Sequence, residues 1–250
     1  MKPFALIILL MLSCSAVSNQ SNIISLVAPD FWCPYACNEK EPLQGFAIDI
    51  ARAAFKEVGI TVEYSNQPYD RALLMVRKGK IDGVIPTFKE EAPDFIYPKK
   101  SVSKTEYCFY NNDLTWQYSG LTSLKDISFG ITSGYSYGPT MDAYIENKTP
   151  QEVYKLMGSN IPDRLYNMLI NGRFNAILED KGIMEFYFKT HQDKPILNES
   201  GCLKEMSYGF LALSPADKLR SHFLADQFDL GLEKIIKKGI QVEILNRYKK

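Results

Sequence analysis

The chain has 250 residues, with 29 basic and 29 acidic side chains, two histidines and five cysteines. A formal charge of zero removes any electrostatic reason to expect nucleic acid or an anionic membrane surface as a partner.

Residues 1–18, MKPFALIILLMLSCSAVS, carry one lysine, an apolar stretch from Phe4 to Leu12, and small residues ending at Ser18. This is the three-part pattern of a secretory signal, with an apolar core too short to span a bilayer. Cleavage is expected after Ser18. Lipidation at Cys14 fits less well, because Met11-Leu12-Ser13 is a poor lipobox. No later segment is apolar enough to cross a membrane. Removing residues 1–18 takes away Lys2 alone among charged side chains, which leaves 28 basic against 29 acidic. The remaining cysteines, Cys33, Cys37, Cys108 and Cys202, are even in number and would reside in an oxidising compartment, the periplasm. Two disulfides are expected: Cys33 and Cys37 flank a short turn, which leaves Cys108 for Cys202. A zinc site needs paired cysteine or histidine spacing, and His191 and His222 lie far from any such pair. No metal and no cofactor is expected.

A strand over 23–28 leads through a loop to a helix near 46–58, with apolar residues at 47, 50, 51, 54, 55 and 58 and a terminating Gly59. A second strand covers 61–64. Next comes PYDRALLMVRKGKIDGVI (68–85), which has an echo in IPDRLYNMLINGRFNAIL (161–178) at a constant offset of 93 residues, as from Asp70 to Asp163. Each copy reads as an amphipathic helix, a glycine that ends it, and an apolar strand buried on both faces. The first series is therefore β-α-β-α-β, and a second begins with a strand over 128–131. It continues with a short helix after Pro139, a strand over 152–154, the second copy and a helix over 182–190. A late strand covers 208–213. From Pro215 onward the pattern is helical: Leu219, Phe223, Phe228, Leu232, Ile235 and Ile236 form one apolar set, and Val242, Ile244 and Leu245 another. These helices are expected to cover the first series, whose sheet has only two helices of its own. Two crossings, near 100–107 and 205–212, would join two lobes as a hinge. The expected fold is α/β: a two-lobed clamp, each lobe a mostly parallel sheet flanked by helices.

In open α/β sheets, ligands bind beyond the carboxyl ends of the strands. The loops there are Pro29–Tyr35, Pro86–Lys89, Thr132–Gly138 and Glu179–Lys181. They are aromatic and acidic, with Asp30, Phe31, Trp32, Tyr35, Tyr135, Tyr137, Glu179 and Asp180, and hydroxyls at Thr87, Ser133 and Ser136. That mixture suits a small polar ligand with an amine stacked on an aromatic face.

With these residues in place, the chain resembles the extracytoplasmic solute-binding proteins that serve polar amino acid ABC importers. GFAIDIARAAFKEVGITVEY, PYDRALLMVRKGKIDGVI, LKDISFGITSGYSY, NGRFNAILED and MSYGFLALS match that family's order and spacing. The resemblance implies a two-lobed clamp in which Tyr35 or Trp32 stacks on the ligand. Ser133, Gly134 and Ser136 would donate hydrogen bonds, and Asp180 would hold an amino group. It implies an importer permease or a membrane receptor as partner, and a monomeric binding protein rather than an enzyme. The lobes would divide as 19–104 plus 210–250, and 105–209. One departure stands out. The family's amino-acid binders carry Thr-x-Glu-Arg after the first-lobe strand, whose Arg grips the α-carboxylate. This chain has PTFKEEAPDFIYP there, with no Arg; Lys89 could offer a point charge, and Arg71, at the start of the repeat helix, could reach in to the ligand, although neither is the same device. An ordinary α-amino acid is therefore in doubt as ligand. Two enzymatic readings remain. Some relatives on this fold act as cyclohexadienyl dehydratases, with Glu179 here as the candidate acid. GYSYG (134–138) matches a nucleophile elbow, although no oxyanion loop precedes it.

Overall fold

The computed structural model describes residues 22–29, 32–158 and 160–249, with side chains through Tyr248. The signal segment with its cleavage site and Cys14, and the cleft residues Asp30 and Phe31, lie outside the described residues.

The first series is β1 (Ile23–Ala28), α1 (Phe46–Lys56), β2 (Thr61–Asn66), α2 (Tyr69–Arg77) and β3 (Gly83–Thr87). A long strand, β4 (Ser103–Asn111), leads to β5 (Phe129–Thr132), α3 (Pro139–Glu146), β6 (Val153–Leu156), α4 (Ile161–Ile170), β7 (Ala176–Asp180) and α5 (Lys181–Thr190). The chain returns along β8 (Asn198–Leu213) and ends in α6 (Lys218–Lys237) and α7 (Ile240–Lys249).

The strands lie in the order β2-β1-β3-β8-β4-β7-β5-β6. At one end β1 pairs in parallel with β2 and β3, and at the other β5 pairs in parallel with β6 and β7. Between them β8 and β4 run antiparallel to each other and to their outer neighbours. The same three-strand parallel motif is thus built twice about a central antiparallel pair. β3 and β7 are buried along their whole length, as their apolar runs require.

The late strand is much longer than the apolar run at 208–213 suggests. Its first part, NESGCLKEMS, is polar, yet it is extended because it pairs with β4 from Asn111↔Asn198 to Ser103↔Gly209. The register shifts between Glu106 and Cys108, where the partner strand moves from Met206 to Cys202. There the Cys108 and Cys202 sulfurs are bonded, as are those of Cys33 and Cys37.

α6 covers α1 with Leu224, Ala225, Phe228, Leu232 and Ile235, spaced mostly three or four apart. Phe55 and Phe228 meet with ring centroids 5.6 Å apart. Burial of each ring stabilises the fold by about 2 to 3 kcal/mol. The helices approach so closely that a Cβ on Gly231 would lie 2.0 Å from the Ala54 carbonyl oxygen. Both apolar sets are corrected in part by the packing. Leu219 is 86 % exposed, and Ile236, Val242 and, to a lesser degree, Phe223 are exposed too. At about 100° per residue, Leu219 lies on the opposite side of the helix from Phe228.

Candidate functional site

The turn after β1 builds one wall. The Trp32 carbonyl accepts from the amides of Tyr35 (2.9 Å) and Ala36 (3.0 Å), and the Trp32 amide donates to the Ala36 carbonyl (3.0 Å). The Cys33–Cys37 bridge closes the same turn. The turn is seated on α1: the Phe46 amide donates to the Pro34 carbonyl at 2.8 Å, and Gly45, at φ +109°, lets the chain pass where a Cβ would lie 2.4 Å from the Tyr35 carbonyl oxygen. Trp32 and Tyr35 are thereby fixed in place, both buried. Trp32 stands 5.4 Å from Tyr35, 6.0 Å from Phe88 of the loop after β3, and 5.9 Å from Tyr135 of the loop after β5. Aromatic rings from both ends of the sheet therefore meet.

Behind the rings lie two adjacent carboxylates at the end of β7, Glu179 and Asp180, each only 1 % exposed. Glu179 accepts from the Thr132 hydroxyl at 3.0 Å and from the Asp180 amide at 2.9 Å. Asp180 caps α5 by accepting the Ile183 amide on Oδ1 at 2.9 Å, and the Tyr35 hydroxyl stands close to the same carboxylate. Burial pushes the Glu179 carboxyl up to about 7, with the neighbouring Asp180 charge adding to the rise. Burial likewise pushes Asp180 up to about 7 despite the donated Ile183 amide. The Tyr135 phenol is pushed well up by burial and then by the charges of Glu179, Glu91 and Asp180, which surround it.

The opposite side is made by the first copy of the repeat. Thr87, buried at the end of β3, lies in a cluster with the Tyr69 hydroxyl of α2 and the Glu91 carboxylate. Burial raises the Glu91 carboxyl above its ordinary value.

A small cavity of about 40 Å³ lies among Trp32, Thr132, Tyr135, Asn160, Glu179 and Ile183. A larger one of about 360 Å³ opens past Tyr135, lined by Glu90, Glu91, Ser133, Ser136, Asp142 and Lys155 among others. The inner space is far below the roughly 300 Å³ of an ordinary ligand site, so a ligand the size of an amino acid requires the walls to part.

Of the residues singled out from sequence, Trp32, Tyr35, Thr87, Ser133, Tyr135, Ser136 and Asp180 converge on this cleft or its walls. Tyr35 packs under Trp32 and on Phe46, and its hydroxyl faces the Lys104 carbonyl at 3.5 Å. Ser136 donates to Asp142 at 2.6 Å, a local bond that is not the histidine contact of a nucleophile elbow. His191 instead stacks on Tyr187. Arg71 sits exposed on the first turn of α2. Lys89 lies over the Phe210 and Tyr97 rings, with Nζ 4.3 and 5.6 Å from their centroids. Neither cation is set up as a carboxylate fork. Sequence reading passed over Tyr69, Phe88 and Glu91. The repeat held a signal for this side, because Thr87 stands 93 residues before Asp180.

The model for bacterial extracellular solute-binding proteins, family 3, matches residues 24–250. The chain belongs to this family. It is 24 % identical over 237 residues to the arginine-binding periplasmic protein of Mannheimia haemolytica, covering 93 % of each chain. Its fold matches a histidine-bound substrate-binding protein of an ABC uptake transporter from Streptococcus pneumoniae, with a TM-score of 0.72 at 19 % identity, covering 91 % of this chain and 92 % of that one. It also matches an ancestral amino acid-binding protein described as a precursor of cyclohexadienyl dehydratase, with a TM-score of 0.69 at 16 % identity, covering 92 % and 96 %. These structures share the two-lobed α/β fold expected from the sequence.

Proposed function

We propose that this solute-binding protein captures a small organic cation, bearing an amine or guanidinium and no α-carboxylate, and presents it to an ABC importer permease. The observation that carries the reading is the pair of buried carboxylates, Glu179 and Asp180, behind an aromatic wall. Among the described residues no cation forms a salt bridge with either of them or with Glu91. A ligand cation there gains charge-assisted hydrogen bonds and a cation–π contact with Trp32 or Tyr135. The Mannheimia relative is named for arginine, a cationic solute. The absence of a Thr-x-Glu-Arg stretch after β3 speaks against a carboxylate at the other end. Thr87, Ser133, Tyr135 and Ser136 would line the bound ligand, with Trp32 and Tyr35 as its aromatic wall; Arg71, exposed on α2, has no part.

The lobes divide as 19–104 plus 210–250, and 105–209, with β4 and β8 as the hinge. The protein is exported to the periplasm and acts as a monomer without enzymatic activity. A dehydratase on this fold would need cationic grips for a dicarboxylate, and Lys89 is engaged with aromatic rings. A thermal-shift screen of amines, guanidines, amino acids and organic acids tests the reading. Stabilisation by cations lacking a carboxylate supports it; stabilisation by dicarboxylates alone, or turnover of prephenate, overturns it.

A further inference from the structure

Glu91 is a carboxylate of the cleft to which the proposed cation site assigns no ligand. Its Oε2 is held by three donors: the Tyr69 hydroxyl, the Thr87 hydroxyl at 3.3 Å and the Phe88 amide at 3.4 Å. Its Oε1 accepts no hydrogen bond among the described residues, and the side chain lines the 360 Å³ cavity. The group is thus oriented rather than merely exposed. Glu90, Asp142 and Glu146 line the same cavity against a single lysine, Lys155.

Two independent features point to one ligand reaching from this cavity to the buried pair. The 360 Å³ and 40 Å³ cavities share Thr132 and Tyr135 as walls, so the Tyr135 ring stands between two adjoining spaces. At the inner end the Glu179 carboxylate lines the smaller cavity, with Asp180 next to it, and no cation pairs with either among the described residues. A buried carboxylate pair with no cation partner favours a ligand that brings the charge.

We infer that Glu91 is a second cation-reading group, so that the ligand is an elongated dication, a diamine or an amino-guanidine, with one charge at Asp180 and Glu179, the other at Glu91, and its chain passing Tyr135. This rests on the cleft being a cation site. A ligand ending in a carboxylate at the Glu91 position would meet like charge from Glu90, Glu91, Asp142 and Glu146. Glu91 would therefore select by repulsion as well as by attraction.

The test is titration calorimetry of the purified mature protein with 1,4-diaminobutane, agmatine, butylamine and arginine, on the wild type, Glu91→Gln and Asp180→Asn. Agmatine is arginine without its carboxylate. The expected result is dications binding at least tenfold more tightly than butylamine, and agmatine more tightly than arginine. Glu91→Gln, whose amide oxygen still accepts from Tyr69 and Thr87, should erase the dication advantage while changing butylamine affinity less than twofold. Tyr69→Phe, which keeps the charge but releases its orientation, should weaken dications two- to fivefold. Equal weakening of butylamine and the dications by Glu91→Gln overturns the second subsite and leaves the first standing. Indifference of every amine to Asp180→Asn sinks the cation reading itself, and tighter binding of arginine than agmatine to the wild type overturns the proposed role of Glu91. Failure of all four amines to bind overturns both.

Discussion

In the first copy of the repeat, α2 ends at Gly79 with φ +67°, and β3 runs into Thr87; in the second, α4 ends at Gly172 with φ +68°, and β7 runs into Asp180. Both copies tie the turn to a neighbouring strand in the same way. Asp82 accepts the Ser25 amide and hydroxyl at 2.8 and 3.0 Å, and Asn175 accepts the Ser128 amide and hydroxyl at 3.0 and 2.9 Å. The copies differ in the surroundings of those clips and in the side chains at the strand ends. Asp82 also receives Arg220 of α6 at 2.7 Å, which binds the C-terminal helix to the first copy, whereas Asn175 is uncharged and exposed. At the strand ends the first copy sets a hydroxyl among Tyr69 and Glu91, and the second sets two carboxylates that have no cation partner among the described residues. The turn and clip are scaffold common to both; the strand ends are free to carry different chemistry toward one cleft.

Exchanging chemistry between equivalent positions breaks this comparison. The largest effect is expected at the strand ends. Asp180→Asn keeps the shape and removes the charge, and should weaken an amine-bearing ligand by more than tenfold, out of a gross contribution on the order of 2 to 4 kcal/mol from charge-assisted hydrogen bonding and the aromatic face. Thr87→Ala, at the equivalent place, should cost only about 1 kcal/mol in the same calorimetric titration. Equal losses would mean that the two ends are not specialised.

The clips come next. Asp82→Asn gives the first copy the chemistry of the second and takes from Arg220 its carboxylate partner, leaving its bond to the Ile23 carbonyl, so urea unfolding should show a loss of about 2 kcal/mol. Burial acts to raise the Asp82 carboxyl, but Arg220 and Ser25 more than offset it and hold it below its ordinary value. That contribution is present above the ordinary carboxylate range and is lost as pH falls through the depressed value. Asn175→Asp should shift stability by less than about 0.5 kcal/mol, because the site is exposed.

The strand ends carry the opposite pH sign. Glu179 and Asp180 titrate at about 7 in the folded chain, above their ordinary values of 4.5 and 3.8. Their contribution to stability is complete below those ordinary values and is lost as pH rises through 7, so the ligand-free protein should melt at a lower temperature at pH 8 than at pH 5. Affinity for a cation that stays charged throughout should rise from pH 6 to pH 8, as protons cease to compete. A flat profile would remove the buried pair from ligand recognition. The smallest effect is expected from Ser136→Ala, whose hydroxyl is engaged with Asp142; binding should change by at most about 1 kcal/mol. Loss of an esterase activity in that variant would instead revive the nucleophile elbow.

Much of this fold was legible because its code is local. Helix period, terminating glycine and apolar strand recur in both copies, and the cysteine pairs were readable from spacing and parity. Asp180, Trp32 and Tyr135 could be picked out as candidates for the cleft because they come just after or at the ends of strands. Glu91 could not, because its placement depends on Tyr69 reaching it from the start of another helix, and nothing in PTFKEEAPDF marks which of two glutamates turns inward. The polar half of β8 was hidden for a related reason: its extended form comes from pairing with β4, not from its own composition. Leu219 and Ile236 share the apolar character of α6 but lie off its buried face, and apolar character alone does not say which side of a helix a residue occupies.

Whether the buried carboxylates receive a cation is read most directly by calorimetry at pH 7 in two buffers of different ionisation enthalpy. Because burial raises both carboxyls and a bound cation favours their ionised forms, capture of agmatine should release protons, and Asp180→Asn should reduce that release. Binding with no proton release, or with proton uptake, would contradict the account.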